Sequence, residues 1–146
     1  LISDSGMPCI ADPGSQIVNY AHEFNIEVIP LTGPSSILLA LIASGMNGQR
    51  FTFHGYLPIN DSERKKKIIQ IERESIKNTE TQIFIETPYR NNKLLDTILK
   101  ICRKNTKLCI ALDITGSRQY IQTKTISEWK IKKIKLEKEP CVFLLI

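Results

Sequence analysis

The stretch Leu1-Ile2-Ser3-Asp4-Ser5-Gly6-Met7-Pro8-Cys9-Ile10-Ala11-Asp12-Pro13-Gly14 governs how the rest of the chain is read. Leu1-Ile2 reads as the end of an apolar strand, and a Gly/Pro/Asp/Ser loop follows it. Asp12 then reads as a helix N-cap with Pro13 at the first helical position. In open α/β sheets, ligands sit just beyond the carboxyl ends of strands, where loops of this composition occur. The chain has no initiator Met and no complete strand before the loop. It therefore reads as the C-terminal part of a longer protein, cut inside its first functional motif.

Outward from the loop, Ile17, Val18, Ala21 and Phe24 form a helical stripe over 15–25. Residues 26–31 read as a short strand, broken at Thr32-Gly33-Pro34. Ser35 or Ser36 caps a helix over 37–44 that is apolar on all sides and so expected to be buried. Gly45 ends it, and Asn47-Gly48 turns the chain. Phe51, Phe53, Gly55 and Leu57 alternate with Thr52, His54 and Tyr56, which predicts a strand with two unlike faces. Asn60 to Glu63 has the spacing of a capping box ahead of a charged helix running to about residue 75. Ile83-Phe84-Ile85 is continuously apolar, so its strand should lie inside a covered sheet. A helix follows with Leu94, Leu95, Ile98, Ile101 and Cys102 inward. A buried strand over 108–112, a strand over 120–126, a short helix around Trp129 and a terminal strand over 141–146 complete the chain. Strand and helix alternate, so the class is α/β. The best boundary is 32–34, a linker between the end of one domain (1–31) and a complete α/β domain (35–146).

Charge is unevenly spread. Residues 1–58 hold one basic residue, Arg50, against Asp4, Asp12, Glu23 and Glu27, a net of −3, so residues 59–146 carry +8 and the whole chain +5. Such asymmetry suits a small ligand at the first half and a polyanion at the second, although solvated lysine-rich faces give the same count. The longest apolar run, 37–43, is too short to span a bilayer. Cys9, Cys102, Cys109 and Cys141 form no CxxC, and His22 and His54 are the only histidines, so the pattern argues against zinc. The last three cysteines lie in apolar surroundings and read as buried thiols, which fits a reducing cytoplasm.

Five motifs carry a family resemblance. Ser3 to Gly14 is similar to the "SDAGTP.ISDPG" signature of the ribosomal RNA small subunit methyltransferase I family, within the tetrapyrrole-methylase superfamily. Val28-Ile29-Pro30-Leu31-Thr32-Gly33-Pro34-Ser35-Ser36 resembles its "V.PLPGPSA", and Ala40-Leu41-Ile42-Ala43-Ser44-Gly45 its "AL.ASG". Phe51-Thr52-Phe53-His54-Gly55-Tyr56-Leu57-Pro58 resembles "F.F.GFLP", and Glu86-Thr87-Pro88-Tyr89-Arg90 resembles "ESPHR". The five occur in the family's order across essentially the whole chain. The resemblance implies two α/β domains with S-adenosylmethionine in the cleft between them. It also implies a cytoplasmic homodimer, and 2′-O-methylation of a cytidine in the decoding region of small-subunit ribosomal RNA.

On this basis Ser3, Asp4, Gly6 and Met7 are candidate donor-binding residues. Asp4 suits the donor's ammonium or ribose, and Gly6 lets main chain approach the ligand. A plain Asp/Gly turn is the other reading of that spacing. The family usually has Thr where Met7 stands. Ser35 and Ser36 offer hydroxyls and helix N-terminal amides to the same ligand, or simply cap the helix. Past the buried strand, Arg90 can clamp a phosphate, Tyr89 can stack on a base and Glu86 can orient a hydroxyl, unless Glu86 and Arg90 pair with each other. Asp113-Ile114-Thr115 is similar to the family's "ELTK", whereas Gly116-Ser117-Arg118-Gln119 lacks the usual Lys and later Glu. Asp113 and Glu86 are the acid–base candidates, and no metal is expected. Thr115, Arg64 and Lys65 join Tyr89 and Arg90 as substrate contacts. Competing expectations are a tetrapyrrole or protein acceptor within the superfamily, and a non-catalytic RNA-binding remnant.

Overall fold

A computed structural model describes residues 1–3 and 6–146. The chain divides into two compact units, Leu1–Ser36 and Ile37–Ile146.

In the first unit the regular element is helix α1, Ser15–Glu23. It starts after Gly14 rather than at Asp12, because Gly14 takes a left-handed φ of 131° and its carbonyl accepts the first helical bonds, from Ile17 and Val18. A Cβ at Gly14 would lie 2.6 Å from the Leu1 side chain, so only glycine fits that approach. The strands expected at 1–2 and 26–31 are absent: both stretches are irregular, and Ile2 is 93% exposed. A strand exists only through a hydrogen-bonded neighbour, and the described residues of this unit supply none. Of the apolar stripe expected here, Ile17 and Phe24 are exposed, and Val18 and Ala21 are half-buried.

The second unit is built on a five-stranded sheet in the order β1-β2-β5-β3-β4, where β1 is Phe51–Tyr56, β2 Thr81–Glu86, β3 Lys107–Leu112, β4 Tyr120–Thr125 and β5 Cys141–Leu145. The β1/β2 pair is parallel and the other three pairings are antiparallel. The C-terminal strand is thus the central one, which explains why its five residues are all buried. On one face lie α3 (Asp61–Asn78), α4 (Asn91–Ile101) and α5 (Ile126–Lys132). They enclose Ile68, Ile71, Leu94, Leu95, Ile98 and Trp129 over Phe84, Leu108, Ile110 and Phe143. The Phe84 and Phe143 rings, opposite each other in the β2/β5 register, stack at 5.9 Å. The other face carries α2 (Ser36–Ser44), whose Ala40 and Leu41 cover Ile83, Cys109, Ala111, Val142 and Leu144. The Thr123 hydroxyl donates to the Ser44 carbonyl and pins the end of α2 to β4. The expectation that α2 is buried all round is corrected: Leu38 and Ile42 are exposed. A helix lying on one sheet buries one side, and its uniform apolarity does not count its neighbours.

Local chemistry sets the helix starts. The Asn60 side chain accepts from the Ser62 and Glu63 amides at the head of α3, and Thr125 with Glu128 forms a reciprocal capping box on α5. In the first turn of α3, Asp61 bonds Lys93 at 2.9 Å and Arg64 at 2.5 Å. Lys93, and after it Arg64, hold the Asp61 carboxyl below its ordinary range. A depressed folded-state pKa contributes stability above the unfolded value, which is lost as pH falls through the folded one. Asp61→Asn is therefore expected to lower the urea midpoint at pH 7 and leave it nearly unchanged near pH 2. Equal losses at both pH values contradict a charge-based role.

The three cysteines expected inside are buried. Burial, then the nearby Glu72 carboxylate, pushes the Cys102 thiol up to about 12, and burial raises Cys109 and Cys141 as well. Only Cys9 is half-exposed. Because the thiolate is the reactive form, a disulfide reagent at pH 8 should titrate one thiol per native chain, and the other three only in denaturant. Two or more fast thiols contradict the packing.

Candidate functional site

Strand direction gathers the chemistry-bearing loops at one end of the sheet. β1 and β2 are parallel, and β2 and β3 both run antiparallel to β5, so β1, β2 and β3 point the same way. Their exits (57–60, 87–90 and 113–119) share an end with the segment entering β5 (133–140). Hydrogen bonds tie these pieces together. The Asn91 amide nitrogen donates to the Glu139 carbonyl at 2.9 Å. Asn92 exchanges two bonds with Leu136, and the Asp113 N–H donates to the Pro140 carbonyl.

Glu86 ends β2 with its side chain 1% exposed. Its Oε1 accepts from Arg90 Nε at 2.9 Å, from the Arg90 terminal nitrogen at 2.7 Å and from the Thr87 amide at 2.7 Å. Its Oε2 is buried with no hydrogen-bond partner. Of the two readings open for this pair, the structure shows the mutual ion pair. Through Oε1 the enclosed carboxylate fixes the Arg90 guanidinium and the Thr87 amide at the start of the turn. The 3₁₀ turn Pro88–Arg90 lifts Tyr89 into solvent, 82% exposed, with the Lys138 ammonium 5.4 Å from its ring centre.

Asp113, just past β3, is half-buried and takes a left-handed φ of 46°, as does Thr115 at 68°. Its Oδ2 accepts the Arg118 amide at 2.8 Å and its carbonyl accepts the Gly116 amide. The carboxylate folds over Gly116 so closely that a Cβ there would lie 2.1 Å from Oδ1. The Thr115 amide donates to Gln119 Oε1. Gly116 and Gln119, departures from the family motif, are thus the residues that let this loop close on itself. Arg118 is 66% exposed and pairs with Glu139 at 3.0 Å.

Arg64 is corrected as a phosphate contact. It is 2% exposed, and its guanidinium bonds Asp61 and the Ile59 carbonyl. Its place on the inward face of α3 puts it against the core, where a cation persists only if paired. Lys65, its neighbour in sequence, is exposed.

In the first unit, Asp4 lies outside the described residues. Ser3 and Met7 are half-buried, and Gly6 is exposed with a φ of 74° and open space where a side chain would be. Cys9 and Ala11 also hold left-handed backbone, at 68° and 55°. Two strained non-glycine residues within three positions are the kind of outlier that clusters at ligand-binding loops, and sequence reading missed them because side-chain type does not report φ. Ser35 is half-buried, and Ser36 begins α2. Its first amides have no partner inside the helix. Gly6 leaves its backbone open to close approach, the property that a main-chain contact to an amino-acid or ribose group requires.

No family model matches the chain. It is 34% identical over 128 residues to "Ribosomal RNA small subunit methyltransferase I" of Vibrio cholerae, covering 88% of this chain and 43% of the relative. It is 35% identical over 128 residues to the protein of the same name from Bacillus subtilis, covering 88% and 42%. The chain thus spans under half the length of these curated relatives. Among solved structures it resembles the methyltransferase CobJ, with a TM-score of 0.60 at 17% identity over 97% of this chain and 62% of that one. It also resembles uroporphyrin-III C-methyl transferase from Thermus thermophilus complexed with S-adenyl homocysteine, with a TM-score of 0.54 at 12% identity over 96% and 62%. The fold is that of the tetrapyrrole methylases.

Proposed function

We propose that this chain, a homologue of part of ribosomal RNA small subunit methyltransferase I, belongs to an S-adenosylmethionine-dependent methyltransferase acting on small-subunit ribosomal RNA, with the 2′-oxygen of a cytidine as acceptor. The observation that carries this reading is 34% identity over 128 residues, 88% of the chain. In this reading residues 1–31 are the end of an N-terminal methylase domain, 32–34 the linker and 35–146 the C-terminal domain. The enzyme is a cytoplasmic homodimer.

The donor supplies, when bound, a methyl carbon already made electrophilic by a sulfonium. The protein therefore has to hold it, align the acceptor oxygen and exclude water, since orientation can contribute much of the acceleration. Ser3, Asp4, the Gly6 backbone, Met7 and the Ser35 and Ser36 hydroxyls hold the amino-acid and ribose groups. Asp113 would take the proton of the ribose hydroxyl, whose oxygen would then accept the methyl group as its bond to the donor's sulfur breaks and the thioether leaves. Arg90, aimed by Glu86, and Lys65 take phosphates, and Thr115 contributes a polar contact beside Asp113.

Incubating small ribosomal subunits lacking the modification with the protein expressed from its complete reading frame, then digesting the RNA for mass spectrometry, tests the acceptor. The expected product is 2′-O-methylcytidine. A base-methylated nucleoside overturns the 2′-oxygen assignment.

A further inference from the structure

We infer that the three tied loops at the β2/β3 end of the sheet form a platform for one unpaired nucleotide of RNA. Its base would stack on Tyr89, and its flanking phosphates would be taken by Lys138 and Arg118. This rests on the reading of the chain as part of an RNA methyltransferase, and adds to it the residues that would seat the nucleic acid.

Tyr89 is 82% exposed although it sits on a fixed turn. An aromatic ring left in solvent on a rigid support has little to gain from folding. It suits a stacking partner, because every base offers a π face. The turn cannot sag, because Arg90 is held by the buried Glu86 and Asn91 bonds the Glu139 carbonyl. The same bond fixes the segment carrying Lys138, whose ammonium stands 5.4 Å from the Tyr89 ring centre. A cation in that position reinforces stacking through the ring face and lies within reach of a backbone phosphate on the stacked nucleotide.

Arg118 completes the rim. It is 66% exposed, and its partner Glu139 belongs to the segment that Asn91 anchors. An exposed pair of this kind contributes little to stability, so the guanidinium can leave Glu139 for a phosphate at small cost. Lys138 lies in the lysine cluster read from the sequence, but its pairing with Tyr89, 49 positions away, has no local signal.

The test is fluorescence anisotropy with a labelled single-stranded RNA oligonucleotide across a salt series, using the protein from its complete reading frame. Tyr89→Ala is expected to weaken binding about 5- to 100-fold, and Tyr89→Phe to leave it within about twofold. Lys138→Ala and Arg118→Ala should each weaken it several-fold and flatten the salt dependence by somewhat under one unit of slope. All three positions are on the surface, so unchanged melting temperatures serve as the folding control. Tight binding that is indifferent to Tyr89→Ala and Lys138→Ala overturns the platform and leaves the RNA reading standing. Failure of the unsubstituted protein to bind RNA, while it still binds S-adenosylmethionine, removes the RNA reading and the platform with it.

Discussion

Replacing Trp129 by Ala is expected to destabilise the second unit by about 3–5 kcal/mol, the range for truncating a fully buried aromatic. Trp129 is 0% exposed and lies in the cluster that joins α3, α4 and α5 to β3 and β5. Its indole N–H also donates to the Leu108 carbonyl at 2.8 Å, so truncation removes both packing and a buried hydrogen bond. Domain stabilities are about 5–15 kcal/mol, so this one change removes a large share of the total. Trp129→Phe keeps most of the volume and should cost less than half as much. Urea unfolding followed by far-UV circular dichroism measures both, since Trp129 is the only tryptophan and its fluorescence is lost in the variants. A loss below about 1 kcal/mol for the Ala variant contradicts the core described above.

Asp113→Asn is expected to lower the single-turnover rate of methyl transfer by roughly 100-fold or more, the usual worth of a positioned acid–base group. The substitution separates chemistry from shape. Asn tolerates the left-handed backbone at 113 and keeps an oxygen for the Arg118 amide, while it cannot take a proton. Donor affinity, RNA affinity and melting temperature should therefore change little. If the rate is retained, Asp113 serves only to close its loop. If rate and melting temperature fall together, the effect is structural. Asp113→Ala, which also abandons the Arg118 amide, should lose rate and loop order together.

The second unit was readable because its signals are local. The apolar runs at 83–85 and 108–112 and the 3.6-residue stripe through Leu94, Leu95 and Ile98 each state how a segment packs, and Asn60 states where a helix starts. The same local logic misread 26–31 and the exposed side of α2, since a strand or a covered face depends on a neighbour that no window of sequence contains. At the site, the motif 86–90 located the loop correctly, but residue type alone could not decide whether Glu86 faces a substrate or Arg90. Burial decides it: a carboxylate with its side chain 1% exposed pairs with the cation four residues on. Arg64 failed for a related reason. Within the run Arg64-Lys65-Lys66-Lys67 all four look alike, and helical phase turns the first inward and Lys65 outward. The bonds that join Asn91 to Glu139 and Asn92 to Leu136 span 48 and 44 positions, and so lie beyond any spacing rule.

The measurement that tests the central claim most directly is transfer of labelled methyl from S-adenosylmethionine to small ribosomal subunits by the protein expressed from its complete reading frame. Label recovered in the small-subunit RNA, and reduced roughly 100-fold or more by Asp113→Asn, is the predicted result. No label in RNA from a preparation that binds the donor and transfers methyl to a tetrapyrrole or a protein instead would contradict it.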